Sequence, residues 1–166
     1  GLPGTRTGIV VANEETIERL ASFNAVMNLA PGSLGPELVL GLAQSGDLVK
    51  ISEEKVQPYY QGKAQVAMQQ LDTALAGTPY RIHQAEGALF LWLWFEGLPI
   101  SSQELYERLK ERNVLVVSGH HFFPGFKEEW QHQQECIRMT YSSDAAAVAE
   151  GIRIIGEEVK KAYEEK

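Results

Sequence analysis

The spacing of apolar residues predicts one buried strand and two helices in the first fifty residues. Residues 8–12 form a short apolar run rich in β-branched side chains, which is typical of a buried strand. Asn13 can cap the helix that follows, because its side chain can accept from backbone N–H groups of the first turn, which is acidic here. A stretch punctuated by Pro and Gly, residues 28–36, separates this helix from a second one predicted over residues 37–46.

The longest helical pattern covers residues 51–78. Pro58 lacks an amide hydrogen and lies near the start of this pattern, so we expect it to bend the helix or delay its regular part. No strand pattern accompanies the segment. A long helix of this kind is suited to connecting two domains, and we place the domain boundary along it, between residues 1–50 and residues 79–166.

Beyond the long helix the periodicity changes to short strands and two further helices. A capping box, residues 101–104, opens the first of these helices, and the last helix follows Ser143. Strand patterns occupy residues 80–83, 88–95, 114–117 and 135–141. The succession predicts a small α+β unit, in which a mostly antiparallel sheet is covered by helices.

Composition and charge bear on whether the protein binds nucleic acid, crosses a membrane or lies in the cytoplasm. With 44% apolar and 22% charged residues, the 166-residue chain has the composition of a globular protein. Its net charge of −7 argues against nucleic-acid binding, and the longest apolar stretch, residues 88–95, is too short to cross a membrane. The single cysteine, Cys136, allows no internal disulfide, and we expect a packed thiol in a cytoplasmic protein.

Two arginines are candidates for binding anions. Arg6 lies in the glycine-rich octapeptide Gly-Leu-Pro-Gly-Thr-Arg-Thr-Gly, residues 1–8, where small residues admit a phosphate that a guanidinium can grip. Alone this pattern is weak, because many arginines near turns are simply surface residues. Arg138 interrupts an apolar strand pattern, where it either points to solvent or is buried with a partner. Spacing alone does not choose between these two alternatives.

Three segments in order resemble the carboxy-terminal half of the class I, fold-type I PLP-dependent aminotransferases, where PLP is pyridoxal 5'-phosphate. They are residues 1–8, residues 86–92 (Glu-Gly-Ala-Leu-Phe-Leu-Trp) and residues 136–141 (Cys-Ile-Arg-Met-Thr-Tyr). The resemblance implies an α/β enzyme in which residues 1–50 end the PLP-binding large domain. Residues 51–78 would be the connecting helix, and residues 79–166 the small carboxy-terminal domain.

The same resemblance implies a role for each candidate arginine. Arg6 would bind the phosphate of PLP, and Arg138 would form a bidentate pair with the α-carboxylate of the substrate. In the family a Ser-x-Ser-Lys segment directly precedes the octapeptide, and its lysine forms the Schiff base with PLP. That lysine would lie upstream of Gly1, so no catalytic residue is assigned here. We expect the isolated chain to be inactive and not to bind PLP.

More specific segments indicate the substrates. Residues 88–95, 119–125 and 130–136 resemble family members that transfer the amino group between valine, or alanine, and a 2-oxo acid such as pyruvate, a reaction of amino acid biosynthesis. Family members are homodimers, and a loop at the position of residues 28–36 can reach the partner subunit's site. An ordinary connection between helices is the alternative for this loop. Ser118 stands where relatives commonly have proline.

The histidines and aromatic residues of the last third allow a metal site or an apolar pocket. His120 and His121 are adjacent, so on a regular strand their side chains would point to opposite faces and could not easily bind one ion. His132 does not complete a spacing that is familiar from zinc sites. We therefore expect no metal, and instead a loop near the substrate entrance whose apolar wall comprises Phe122, Phe123 and Trp130. Trp92 and Trp94 alternate on a strand, and we expect them in the core.

Three other functions are compatible with parts of this pattern. Some bacterial transcription regulators carry an aminotransferase-like domain that senses PLP, and an upstream winged-helix domain would identify one. An aminotransferase with other substrates is a second alternative. A stand-alone structural domain is a third, which we disfavour because the predicted strand at residues 8–12 would then lack sheet partners.

Overall fold

A computed structural model of the chain describes Gly4, residues 7–28, residues 32–126, Glu128 and residues 130–165. The chain divides into two compact units, Gly1–Val56 and Gln57–Lys166. Among the described helices, none combines the length and the apolarity needed to cross a lipid bilayer. The assignment of residues 1–50, 51–78 and 79–166 to parts of a larger enzyme stays a prediction.

The first unit is helical. Its regular elements are α1 (Glu14–Asn28), α2 (Leu34–Ser45), α3 (Asp47–Ile51) and a π-helical turn (Ser52–Val56). The predicted cap of α1 is confirmed, because the backbone N–H of Thr16 donates to Asn13 Oδ1 at 2.9 Å. The predicted end of α2 is also confirmed: Gly46 follows it with a φ of 80°, a left-handed conformation that glycine adopts without steric cost.

Two expectations for the first unit are wrong. Residues 8–12 form no strand, and Ile9, Val10 and Val11 are exposed. A strand needs a neighbour for its N–H and C=O groups, and this unit contains no sheet among its described residues. Helix α2 begins at Leu34, earlier than expected, with Pro36 in its first turn where the missing N–H costs little. Residues 29–31 of the predicted loop lie outside the described residues.

The second unit combines helices with one four-stranded sheet. Its helices are α4 (Gln57–Ala74), α5 (Ser102–Glu111) and α6 (Ala145–Glu164), with 3-10 turns at Gly119–Phe122 and Gln131–Gln134. Its strands are β1 (Tyr80–Ile82), β2 (Phe90–Phe95), β3 (Val117–Ser118) and β4 (Cys136–Thr140). They lie in the order β1-β2-β4-β3, and each pair is antiparallel, which confirms the predicted sheet. The strand predicted at residues 114–117 is wrong in extent, because residues 114–116 pair with no strand and β3 begins only at Val117. Regular α-helix begins only at Gln57, next to Pro58, as that proline predicted.

The core lies between one face of the sheet and the three helices. Side chains alternate along the strands, so every second residue of β2 and β4 points toward the helices. The fully buried members with the largest side chains are Leu71, Leu75, Leu91, Leu93, Phe95, Leu105, Leu109, Ile137, Ile152, Ile155 and Val159. Burying each of these side chains contributes roughly 1.5–3 kcal/mol relative to leaving it exposed.

Helices α4 and α6 approach closely at Gly156. A Cβ atom at this position would lie 2.8 Å from the carbonyl oxygen of Ala74 and 2.9 Å from its Cβ. Backbone cannot easily give way in a packed interface. By contrast, a Cβ at Gly151 of the same helix would meet only Val114 Cγ1, at 4.0 Å.

We expect opposite effects from alanine at these two glycines. Gly151→Ala should leave the free energy of unfolding unchanged or raise it by about 0.5–1 kcal/mol, because alanine is the better helix former. Gly156→Ala should lower it by about 1–3 kcal/mol, because α4 and α6 must separate. Urea unfolding followed by circular dichroism measures both variants, and equal midpoints would contradict the close approach.

Candidate functional site

Arg138 lies in the middle of β4, which pairs with a strand on each side. Its cross-strand neighbours are Trp92 of β2 and Val117 of β3. Because side chains alternate along a strand, Arg138 points away from the face on which Ile137 and Met139 are buried. We call this second face and the loops on it the aromatic face, which comprises Phe90, Trp92, Trp94, Phe122, Phe123, Trp130 and His132.

Two aromatic rings contact the guanidinium of Arg138. Its Cζ lies 4.2 Å from the ring centre of Phe90 and 4.7 Å from that of Phe122, within the range of cation–π attraction. Trp92 packs edge-on against Phe122, with ring centres 5.1 Å apart. Arg138 is therefore half-buried in an apolar setting, although it is a permanent cation.

Arg138 has no carboxylate partner among the described residues. Its Nε is buried and makes no hydrogen bond. Each of the other described arginines forms an ion pair with a glutamate: Arg19 with Glu15, Arg81 with Glu96, Arg108 with Glu104, Arg112 with Glu157 and Arg153 with Glu150. Leaving a buried donor unpaired costs on the order of 1–3 kcal/mol. The structure thus shows an arginine that is partly buried and available to an anion.

The loop that carries Phe122 is held at its start by small and polar residues. Gly119 touches Cys136 so closely that a Cβ there would lie 2.6 Å from the Cys136 carbonyl oxygen. The hydroxyl of Ser118 lies 2.7 Å from that of Ser102 and 2.8 Å from Nδ1 of His120. Two hydrogen bonds therefore hold the Ser118 side chain at the start of this loop. Burial, with the neighbouring His121, lowers the pKa of His120.

The tryptophans belong to the aromatic face, and the expectation that Trp92 and Trp94 lie in the core is wrong. Both are half-buried on the side of the sheet away from the helices. His132 lies 4.9 Å from Trp94 and 4.7 Å from Trp130, between ring centres, and Phe123 lies 5.5 Å from Trp130. Phe122, Phe123 and Trp130 lie together on this face with Trp92. Their role as the wall of a substrate pocket stays a prediction.

Glu135 supports this cluster, a role that no pattern in the sequence indicated. Its side chain is buried and accepts hydrogen bonds from Trp94 Nε1 at 2.7 Å, the backbone N–H of Gly97 at 2.9 Å and Gln131 Nε2 at 2.7 Å. Three donors compensate for removing a carboxylate from water. Glu135 thereby fixes the orientation of the Trp94 indole, although 41 positions separate the two residues.

Cys136 is a packed thiol, as predicted. Its exposed fraction is 0%, and burial raises its pKa to about 12. A hydrogen bond with Trp92 opposes this shift, and the charge of Glu135 adds to it. Its Sγ lies 3.6 Å from Nε2 of His132, a neighbour that the linear spacing did not identify as a contact. A neutral, enclosed thiol of this kind is a structural group rather than a nucleophile.

The other predicted site features are placed only in part. Arg6, the candidate phosphate ligand, lies outside the described residues. The rings of His120 and His121 lie against one another, with ring centres 3.9 Å apart and planes inclined by 40°. In the part of the chain that the structure describes, no group of three or more His, Cys, Asp or Glu residues is arranged to hold a metal ion. The role of Arg138 as a carboxylate ligand stays a prediction.

Comparisons with known proteins agree that the chain is related to aminotransferases. Residues 1–155 match the family model of aminotransferase class I and II. The chain is 41% identical over 165 residues to valine–pyruvate aminotransferase of Escherichia coli (strain K12), covering 99% of this chain and 40% of that protein.

Two solved structures illustrate the similarity of the fold. Valine–pyruvate aminotransferase from Salmonella typhimurium LT2 superposes with a TM-score of 0.85 at 41% identity, covering 100% of this chain and 43% of that one. Alpha-aminoadipate aminotransferase from Thermus thermophilus, in complex with N-(5'-phosphopyridoxyl)-L-leucine, has a TM-score of 0.76 at 28% identity. Here the match covers 99% of this chain and 40% of the relative. The chain thus spans about two fifths of the length of these relatives.

We expect the Cys136 thiol to be unreactive in the folded chain. With a pKa of about 12, only about one thiol in ten thousand is ionised at pH 8, against roughly a quarter for an ordinary cysteine. Ellman's reagent at pH 8 should therefore modify the folded chain very slowly and the denatured chain at once. A Cys136→Ser chain sets the zero level. Rapid modification of the folded chain would contradict the burial of this thiol.

Proposed function

This chain belongs to the class I and II aminotransferases, and from that premise we propose that it forms the carboxylate-binding end of a transaminase site. The proposed reaction transfers the amino group between valine, or alanine, and a 2-oxo acid such as pyruvate. It would serve amino acid biosynthesis. The observation that carries the proposal is the unpaired guanidinium of Arg138 on the aromatic face.

Arg138 suits an α-carboxylate for electrostatic and geometric reasons. A guanidinium presents a rigid fork of N–H donors that matches both oxygens of a carboxylate. The surrounding rings lower the local dielectric, which strengthens such a pair. A carboxylate held in two places leaves the α-carbon in one orientation, which is what a reaction at that carbon requires.

The aromatic face also supports the choice of an aliphatic substrate. Phe122 and Trp130 are partly exposed and offer apolar surface to a ligand. The ring of Phe122 lies beside the guanidinium, and that of Trp130 lies further along the loop. The side chains of valine and alanine carry no charge, so the site needs no second cation to bind them. The similarity to the two valine–pyruvate aminotransferases supports the same substrates for this chain.

PLP is the family's cofactor, and Arg6 is the one residue of this chain that we propose as a PLP ligand, through the phosphate. Arg6 lies outside the described residues. When bound, PLP supplies the electron sink that stabilises charge at the α-carbon. The chain's own sequence contains no Ser-x-Ser-Lys segment. We therefore propose that the 166-residue chain by itself neither retains PLP nor catalyses transamination.

The proposal includes a cytoplasmic homodimer. Helix α1 has no buried residue, and Phe23, Val26 and Met27 on it are more than three-fifths exposed, which is apolar surface that favours a partner. A single enclosed cysteine fits a reducing compartment. The regulator hypothesis has no observation in its favour among the described residues.

A chimera tests the proposed function. Joining this chain to the portion of E. coli valine–pyruvate aminotransferase that it does not cover should give an enzyme that makes alanine from valine and pyruvate. In this chimera Arg138→Lys should lower kcat/KM about thirtyfold or more, because losing the bidentate pair costs about 2 kcal/mol or more. Chromatography of the alanine formed measures both, and the chain alone should form none.

Arg81→Lys is the matched control. Arg81 also lies on the sheet, but its partner is Glu96 and its side chain is largely exposed, so the variant should retain kcat/KM within about twofold. A chimera that binds PLP and makes no alanine would overturn the proposed reaction. Equal losses for Arg81→Lys and Arg138→Lys would overturn the assignment of the carboxylate to Arg138.

A further inference from the structure

We propose that Phe90 and Phe122 act together as an aromatic clamp, which positions the Arg138 guanidinium for the carboxylate. Phe122, from the loop, is the positioning residue on which this clamp depends most. The inference rests on the proposed function, because it assigns a task to residues beside the proposed carboxylate ligand. It gives a specific task to two residues of the aromatic face that neither charge nor hydrogen bonding would single out.

The clamp contacts the guanidinium through two separate rings. The ring centres of Phe90 and Phe122 lie 4.2 Å and 4.7 Å from Cζ of Arg138. The rings come from different elements, strand β2 and the 3-10 turn after β3. Water is displaced from the parts of the guanidinium that they cover. The remaining N–H donors are then the ones that can face a ligand.

The β2 side of the clamp is fixed by the sheet. Phe90 pairs with Thr140 of β4, and Thr140 Oγ1 donates to the carbonyl oxygen of Leu89 at 3.1 Å. The residue before Leu89, Ala88, has a φ of 65°, which is unfavourable for a residue with a Cβ. The hydroxyl of Tyr141 donates to the Ala88 carbonyl oxygen at 2.6 Å and stabilises this conformation. These contacts fix the backbone that carries Phe90 beside Arg138.

The loop side is fixed by packing. Phe122 is 38% exposed, but Trp92 packs edge-on against its ring, and the loop is anchored through Ser118 and Gly119. A leucine at 122 would lose the attraction between ring and cation and reopen one side of the guanidinium to water. Arg138 would then sample more rotamers, and binding a carboxylate would carry a larger entropic cost.

Side-chain NMR of the 166-residue chain tests the clamp directly. The Nε–Hε signal of Arg138, assigned by its absence in Arg138→Lys, should be displaced by ring currents in the wild-type chain and return toward the ordinary position in Phe122→Leu. Titration with L-valine and with 3-methyl-2-oxobutanoate should move this signal, whereas isobutylamine, which has no carboxylate, should not. Phe122→Leu should raise the dissociation constant roughly threefold or more.

Two further variants separate positioning from folding. Phe122→Tyr keeps a ring and should restore both the signal position and the affinity, while Phe126→Leu, which removes a ring that contacts Trp130, should match wild type in both. Thermal unfolding confirms that each chain is folded. If Phe122→Leu fails to fold, the displaced Arg138 signal in wild type and its retention in Phe122→Tyr decide the question.

The outcomes distinguish the inference from the proposed function. No response of the wild-type signal to either carboxylate contradicts the proposed function and, with it, the purpose of the clamp. A wild-type response with unchanged affinity in Phe122→Leu overturns the clamp alone and leaves Arg138 as the ligand. An Arg138 signal at its ordinary position in the wild-type chain also overturns the clamp.

Discussion

The half-buried guanidinium of Arg138, with aromatic neighbours and no carboxylate among the described residues, is the constraint on which the account of this site depends. Antiparallel pairing of β2 with β4 sets it opposite Trp92 and away from the helices. A permanent cation in that position is costly unless an anion arrives. The other described arginines are paired with glutamates, so the exception marks the place where an external anion can bind.

The surrounding residues order the aromatic face, but none of those described places a carboxylate against Arg138. Glu135 is close enough to orient Trp94, but its oxygens are occupied by three N–H donors, which come from Trp94, Gly97 and Gln131. Gly119 allows the loop to approach β4, and the Ser102–Ser118 pair ties the loop to α5. On the opposite side of the sheet, α4 and α6 supply the apolar core that makes the strands rigid. One face of the sheet thus provides stability, and the other provides the candidate site.

Local signals in the sequence predicted local structure well. The Asn13 cap and the positive φ of Gly46 depend on neighbours a few residues away. Short apolar runs indicated β1, β2 and β4, but the run at residues 114–117 overlaps β3 only at Val117. The strand at residues 8–12 failed because pairing depends on a partner that periodicity does not reveal. Alternation placed Trp92 and Trp94 on one face, but only the packing of the helices decides which face is the core. Glu135 and His132 both contact Trp94, which is far from them in the chain, and no spacing in the sequence indicates these contacts.

The central claim is that a carboxylate pairs with Arg138 between the rings of Phe90 and Phe122. A crystal structure of the chain soaked in L-valine tests this claim most directly. The account predicts a carboxylate with both oxygens within hydrogen-bond distance of the guanidinium, and both rings still in contact with it. Ligand density elsewhere with none at Arg138, or a glutamate of the chain itself paired with this guanidinium, would contradict the account.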